Sequence, residues 1–155
     1  MKKIIFALAA ATAFSGAAQY AGYVDPYIGS EGLGRVFIGP SCPFGMVKPS
    51  PDCTSAPNSG WLPMPVQLNG FAQVHVSGTG GGPKYGNVLV MPVNTPSEAY
   101  PFAAPKEENK AFWIDYRSSE STALAYYKTE LSRSQTTVEI TTAERASMYR
   151  ISYPA

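Results

Sequence analysis

The chain has 155 residues, with 12 Lys or Arg against 11 Asp or Glu, so its net charge is +1. The basic residues are scattered, which argues against a nucleic-acid-binding face or an attraction to anionic membranes. Ten tyrosines, seven phenylalanines and two tryptophans suit sugar ligands, but the core of a β-rich protein is the more common explanation. The length fits a single domain.

The first 18 residues have the order of features of a secretory signal peptide. Two lysines open the chain, an almost wholly apolar run covers 4–14, and small residues stand at 16–18. The apolar run is shorter than the roughly 20 residues that a bilayer span requires; the alternative is a buried N-terminal helix. We therefore expect a secreted bacterial protein, periplasmic or extracellular, with no membrane span and a mature domain over 19–155.

The remaining chain is predicted to be all-β. Fourteen glycines and fourteen prolines interrupt it every few residues, which favours short strands and turns over helices. A proline-rich loop is predicted over 50–65. Regular short strands without intervening helices indicate part of an antiparallel β-sandwich. The predicted strands are 36–38, 44–47, 71–76, 88–93, 111–116, 125–131, 136–142 and 148–153, and the run at 88–93 is apolar enough to be buried on both faces.

The two cysteines, Cys42 and Cys53, allow two interpretations. In an oxidising compartment they could form a disulfide around a short loop, contributing about 2–3 kcal/mol. The alternative is two separate buried thiols. The lone His75 is distant in sequence and there is no CxxC motif, so neither a metal site nor thiol catalysis is supported.

The segment 77–82, Ser-Gly-Thr-Gly-Gly-Gly, follows a strand that carries the only histidine, His75. A phosphate-binding loop fails at Pro83, which stands where glycine is required. The dinucleotide fingerprint fails at the same position. Ser77 shares a strand face with His75, but it lacks the GxSxG elbow of a nucleophilic serine. The acidic residues nominate no catalytic pair and no calcium loop, so the residues alone reveal no catalytic machinery.

Several motifs in order do resemble one family. They are Val-Asp-Pro-Tyr-Ile-Gly at 24–29, Cys-Pro-Phe-Gly-Met-Val at 42–47, the stretch 70–92, the segment 120–127, and the run from Glu139 to Pro154. Together they resemble the N-terminal domain of glycoside hydrolase family 92, secreted α-mannosidases. Gln73, Asn87 and Arg35 stand where that family often has His, Asp and His, which puts individual substrate contacts in question.

The resemblance implies a β-sandwich that packs on an (α/α)₆ catalytic toroid. It also implies hydrolysis of mannose-containing glycans by an exo-acting enzyme, with inversion and with calcium. The acid, the base and most calcium ligands would lie in the toroid, so we expect no calcium and no catalytic residue in this chain. We expect the natural protein to continue beyond residue 155, this chain being a fragment or a truncated product. The alternative function is a stand-alone carbohydrate-binding module.

Four residues are candidate substrate contacts. Trp61 is a candidate sugar platform or a cap on the core. His75 would donate to a sugar hydroxyl or orient the loop, or be a buried, satisfied strand histidine. Ser77 and Thr79 would contact substrate or bond the loop backbone to itself. For the last three the structural alternative is favoured.

Overall fold

The structure is a computed structural model, and it describes residues 20–32, 34, 36–53, 60–64, 67–76, 88–94 and 115–155. The signal peptide predicted for 1–18, the loop at 77–82 and most of the strand predicted at 111–116 lie outside these residues. Among the described residues no helix is long and apolar enough to cross a membrane.

The described part forms a six-stranded sheet whose strands follow one another in chain order. Every neighbouring pair is antiparallel, so the predicted all-β, antiparallel fold is confirmed. The strands are β1 (Ser50–Cys53), β2 (Gln67–Ala72), β3 (Asp115–Ala123), β4 (Tyr126–Leu131), β5 (Thr137–Thr142) and β6 (Ser147–Ser152).

The sheet curls so that its first strands face its last ones. The first two residues of β3 pair with β2, and the rest of β3 pairs with β4. Just beyond β2, Gln73 donates from Nε2 to the hydroxyl of Tyr149 in β6 at 2.6 Å. Phe71 and Tyr127 meet edge to face with 6.2 Å between ring centroids. The enclosed core consists of Ile38, Trp61, Leu68, Phe71, Tyr127, Leu131, Val138 and Ile140.

The predictions of the last three strands are confirmed within a residue or two, whereas the predicted strand 111–116 overlaps β3 at only two residues. The predicted strands 125–131, 136–142 and 148–153 correspond to β4, β5 and β6. In β6 half-buried and exposed positions alternate, as expected for a strand with one face toward the core. Period-two alternation is therefore a reliable signal in this hairpin region.

The predictions nearer the start need correction. The predicted loop 50–65 contains β1, which tolerates Pro51 because it lies at the edge of the sheet and pairs on one side only. The segments 36–38 and 44–47 are irregular instead of strands. At 88–93 the only described pairing is a bridge between Val90 and Phe71. Val88 and Leu89 are exposed, so this run is not buried on both faces.

The two cysteines are separate thiols in the structure and are not joined. Cys42 Sγ lies 3.3 Å from the carbonyl oxygen of Thr142. Cys53 is buried on β1, with Arg117 Nη2 at 3.7 Å from its sulfur. Burial raises the pKa of the Cys53 thiol, which makes it a poor nucleophile.

Gly39 provides a test of how the irregular segment 36–41 packs beside β1. A Cβ at Gly39 would lie 1.7 Å from the carbonyl oxygen of Pro49. Gly39→Ala must therefore separate two backbone segments, and we expect it to lower the free energy of unfolding by about 3 kcal/mol or more, measured by urea denaturation.

The matched control is Gly22→Ala, because a Cβ at Gly22 meets nothing within 4 Å. We expect this variant to unfold within about 0.5 kcal/mol of the parent. Equal losses for the two variants would contradict the close approach of Gly39 to Pro49.

Candidate functional site

The predicted site residue Trp61 lies in the core, where its indole N–H meets a buried carboxylate. The side chain is 2% exposed. Nε1 lies 3.2 and 3.1 Å from the two carboxylate oxygens of Glu120. The ring packs between Tyr27 and the guanidinium of Arg117, each 5.8 Å from it. The stacking face proposed for sugar is thus covered by the chain itself.

A β-bulge in β3 brings Arg117 and Glu120 to the same side of the sheet. The register shifts between Arg117 and Ser119. Before the shift Asp115 and Arg117 point inward, and after it Glu120 and Thr122 do. In a regular strand, residues three apart face opposite sides. Two consecutive exposed serines at 118 and 119 are the only trace of this bulge in the sequence, and sequence reasoning missed it.

Glu120 is the common acceptor of this cluster. Arg117 Nη1 donates to its Oε1 at 2.5 Å, and the Tyr127 hydroxyl donates to the same oxygen at 2.6 Å. Arg117 Nη2 also donates to the carbonyl oxygen of Leu62. The carboxylate thus connects β3, β4 and the segment that carries Trp61.

The surroundings keep the nearby tyrosines neutral. Burial, with the charge of Glu120, raises the pKa of Tyr27 to about 12. The same two causes raise the pKa of Tyr127 well above its ordinary value. Both phenols therefore act as hydrogen-bond donors to a carboxylate and not as bases. This arrangement stabilises an ion pair in the interior and offers no reacting group to a substrate.

The second predicted residue, His75, forms another buried cluster with Asp52. Its side chain is 1% exposed. Nδ1 lies 2.8 Å from the carbonyl oxygen of Lys48, and Nε2 lies 3.0 Å from Asp52 Oδ1. The other oxygen of Asp52 accepts the backbone N–H of Ala72 at 2.9 Å. Both ring nitrogens are engaged within the chain, so the histidine is buried and satisfied. It does not lie on a strand, because β2 ends at Ala72 and the predicted strand 71–76 is irregular from 73 onward.

Gly60 links the two clusters, because it touches the Asp52–His75 pair and directly precedes Trp61. A Cβ at Gly60 would lie 2.4 Å from Asp52 Oδ1 and 2.8 Å from His75 Nε2. Its φ of +79° also favours glycine. Its carbonyl oxygen accepts the N–H of Cys53 at 2.7 Å. The segment is thereby held against β1, with Trp61 anchored at Glu120.

The structure brings Trp61 and His75 to neighbouring positions but does not describe the other two candidates. Ser77 and Thr79 fall in the range 77–87, outside the described residues. Substrate binding by any of the four stays a prediction.

Acidic side chains do not gather into a metal-binding cluster in the part of the chain that the structure describes, where no three His, Cys, Asp or Glu side chains converge to hold a metal ion. The buried carboxylate of Asp115 accepts the backbone N–H groups of Tyr116, Arg133 and Ser134. Like Asp52 and Glu120, it is occupied by donors of the chain itself.

These features define a β-domain whose polar interior is structural. The model of the glycosyl hydrolase family 92 N-terminal domain matches residues 23–155. The chain belongs to this family, and the resemblance read from its motifs is confirmed.

Two relatives place this domain within longer proteins. An uncharacterized secreted glycosidase from Arthroderma benhamiae is 31% identical over 144 residues, which cover 89% of this chain and 18% of the relative. The family GH92 α-mannosidase BT3965 from Bacteroides thetaiotaomicron, solved alone and with mannoimidazole, is 31% identical with a TM-score of 0.72. That match covers 86% of this chain and 18% of the solved chain. The chain therefore spans less than a fifth of either relative.

The two Glu–Arg–Tyr clusters of the sheet provide a matched test of the buried one. Glu120→Gln leaves the guanidinium of Arg117, a residue 4% exposed, without its countercharge. We expect a loss of about 3 kcal/mol in unfolding free energy, measured by urea denaturation, because breaking a buried ion pair strands a charge.

The control is Glu139→Gln on the outer face. Glu139 also pairs with an arginine and a tyrosine, Arg150 and Tyr126, but Arg150 is 73% exposed. Water can solvate the freed guanidinium there, so we expect a much smaller loss. The importance of burial would be refuted if the outer variant were as unstable as the inner one.

Proposed function

We propose that this chain is the N-terminal β-domain of an exo-acting α-mannosidase that acts on mannose-containing glycans. The observation that carries this proposal is the family match over 23–155, together with the structural similarity to a family 92 α-mannosidase. Hydrolysis, with inversion and with calcium, takes place in a separate (α/α)₆ domain. The name of the secreted relative supports export of the enzyme to the periplasm or the extracellular space.

The interior of this domain supports a structural role. Its buried carboxylates accept hydrogen bonds from the chain, and the ring of Trp61 is covered. A stand-alone carbohydrate-binding module would need an exposed platform, and Trp61 does not provide one. The domain instead packs on the catalytic domain and shapes the pocket from one side.

An exposed aromatic turn supports this docking role. The N–H of Gly45 donates to the carbonyl oxygen of Cys42 at 2.9 Å, and Pro43 and Phe44 are the central residues of the turn. Phe44 has a φ of +59°, a conformation that normally selects Gly or Asn at this position. Its side chain is nonetheless fully exposed. Neither the backbone nor the core requires phenylalanine here.

The neighbourhood of Phe44 is also apolar and firmly held. Met46 is 69% exposed, and its N–H donates to the carbonyl oxygen of Glu144 in the β5–β6 turn at 2.7 Å. Two large apolar side chains are therefore presented outward from a fixed backbone. Such a feature is typical of a contact with another protein surface, and we assign it to the interface with the catalytic domain.

The division of labour is tested by a chimaera. The isolated chain, supplied with calcium, should release no mannose from an α-mannoside. The chimaera in which this chain replaces the matched part of the Bacteroides α-mannosidase should hydrolyse it. Mannose release by the isolated chain would contradict the proposal, and so would a folded chimaera that is inactive although it binds mannoimidazole.

Phe44→Asn tests the docking surface. Asparagine tolerates positive φ, so we expect the isolated chain to keep its stability or gain up to about 1 kcal/mol. In the chimaera we expect a lower melting temperature, because the contact with the catalytic domain loses its anchor. Differential scanning calorimetry measures both.

The control for Phe44→Asn is Leu124→Asn. Leu124 is another exposed apolar residue, 58% exposed in the β3–β4 turn, and it has no assigned contact. It should leave the melting temperature of the chimaera unchanged. If both variants, or neither, lowered the melting temperature, Phe44 would not be the anchor.

A further inference from the structure

The only histidine of the chain has an acceptor at each of its ring nitrogens. The carbonyl oxygen of Lys48, 2.8 Å from Nδ1, can only accept, so Nδ1 must carry a proton. In a neutral imidazole Nε2 would then be an unprotonated acceptor. It would face Asp52 Oδ1 at 3.0 Å, and two acceptors at this distance repel each other. Exchanging ring nitrogens and carbons by a flip would remove both hydrogen bonds.

One additional proton between His75 and Asp52 resolves the conflict. A free imidazole holds its proton up to about pH 6.5, and a free aspartic acid only to about pH 3.9. The proton therefore belongs to the ring. The carboxylate is better able to stay charged, because Asp52 is 21% exposed and the histidine side chain is fully buried. Its second oxygen is also stabilised by the N–H of Ala72.

We propose that His75 is a buried imidazolium whose ion pair with Asp52 is a proton-operated clamp on the Gly60–Trp61 segment. Gly60 packs on both members of the pair with no room for a Cβ. When the ring loses the proton, Nε2 and Oδ1 must move apart, and Gly60 moves with them. Trp61, the next residue, then shifts relative to Glu120. The clamp needs neither a partner domain nor a substrate.

Phe37, Lys48 and Tyr149 also bear on the protonation of the His75 ring. Phe37 stacks on it at 6.4 Å between ring centroids, and the ammonium of Lys48 lies 6.0 Å from the centroid of the Phe37 ring. That positive charge opposes protonation of His75, whereas the direct contact with Asp52 favours it. From β6 the neutral hydroxyl of Tyr149 accepts a hydrogen bond from Gln73. Among the described residues, Asp52 is the charged group in direct contact with the ring.

The protonation state can be read directly, because the chain has a single histidine. Long-range ¹H–¹⁵N NMR of the intact chain at pH 7 should show both ring nitrogens protonated. In Asp52→Asn the amide can donate to Nε2, so the ring should be neutral with its proton on Nδ1. Asp25→Asn, at an exposed aspartate that accepts the N–H of Tyr27, is the matched control and should resemble the parent.

The coupling to Trp61 is read in the same samples. As the pH rises and the ring deprotonates, the Trp61 indole N–H resonance should shift with the same midpoint, with Trp113→Phe used for assignment. Asp52→Asn should abolish this shift.

The parent spectrum alone decides the question if Asp52→Asn fails to fold. A native parent at pH 7 with a neutral ring would overturn the proposal. A Trp61 resonance that stays unchanged while the ring deprotonates would overturn the clamp.

Discussion

The domain depends on the burial of one ion pair, Arg117 with Glu120, beside the aromatic core. A charge in the interior is tolerated only when it is paired and its remaining hydrogen-bonding groups are satisfied. Glu120 meets this requirement with donors from Arg117, Trp61 and Tyr127. Because these donors come from different parts of the chain, one carboxylate brings β3, β4 and the Trp61 segment together.

The second cluster extends the same principle toward β1 and β2. Asp52 and His75 bind each other, the backbone of Ala72 and the carbonyl of Lys48. Gly60 and Trp61 join the two clusters, so polar contacts and not apolar packing alone set the position of this loop. A fold with many prolines and short strands gains through them the long-range connections that its sheet does not provide.

Half of the sheet, the strands β4 to β6, could be predicted from the sequence, and most of the site could not. The strands β4 to β6 alternate cleanly, because one face is buried and the turns are short. β1 was missed because Pro51 usually excludes a strand, and only its place at the sheet edge explains it. The interior positions of Trp61 and His75 depend on partners 59 and 23 residues away. Local patterns contain no information about such pairs, and the ordered family motifs alone pointed to the domain.

The bulge at Ser118 and Ser119 has a consequence for how this strand can change over evolution. Two consecutive residues face outward there, and the alternation of inner and outer faces resumes after them. Substituting either serine preserves this arrangement, since both side chains are exposed. Deleting one of them would remove the bulge and leave a regular strand in which Arg117 and Glu120 still face inward. The pair of serines is thus the place where β3 can lose a residue without turning its ion pair out of the core.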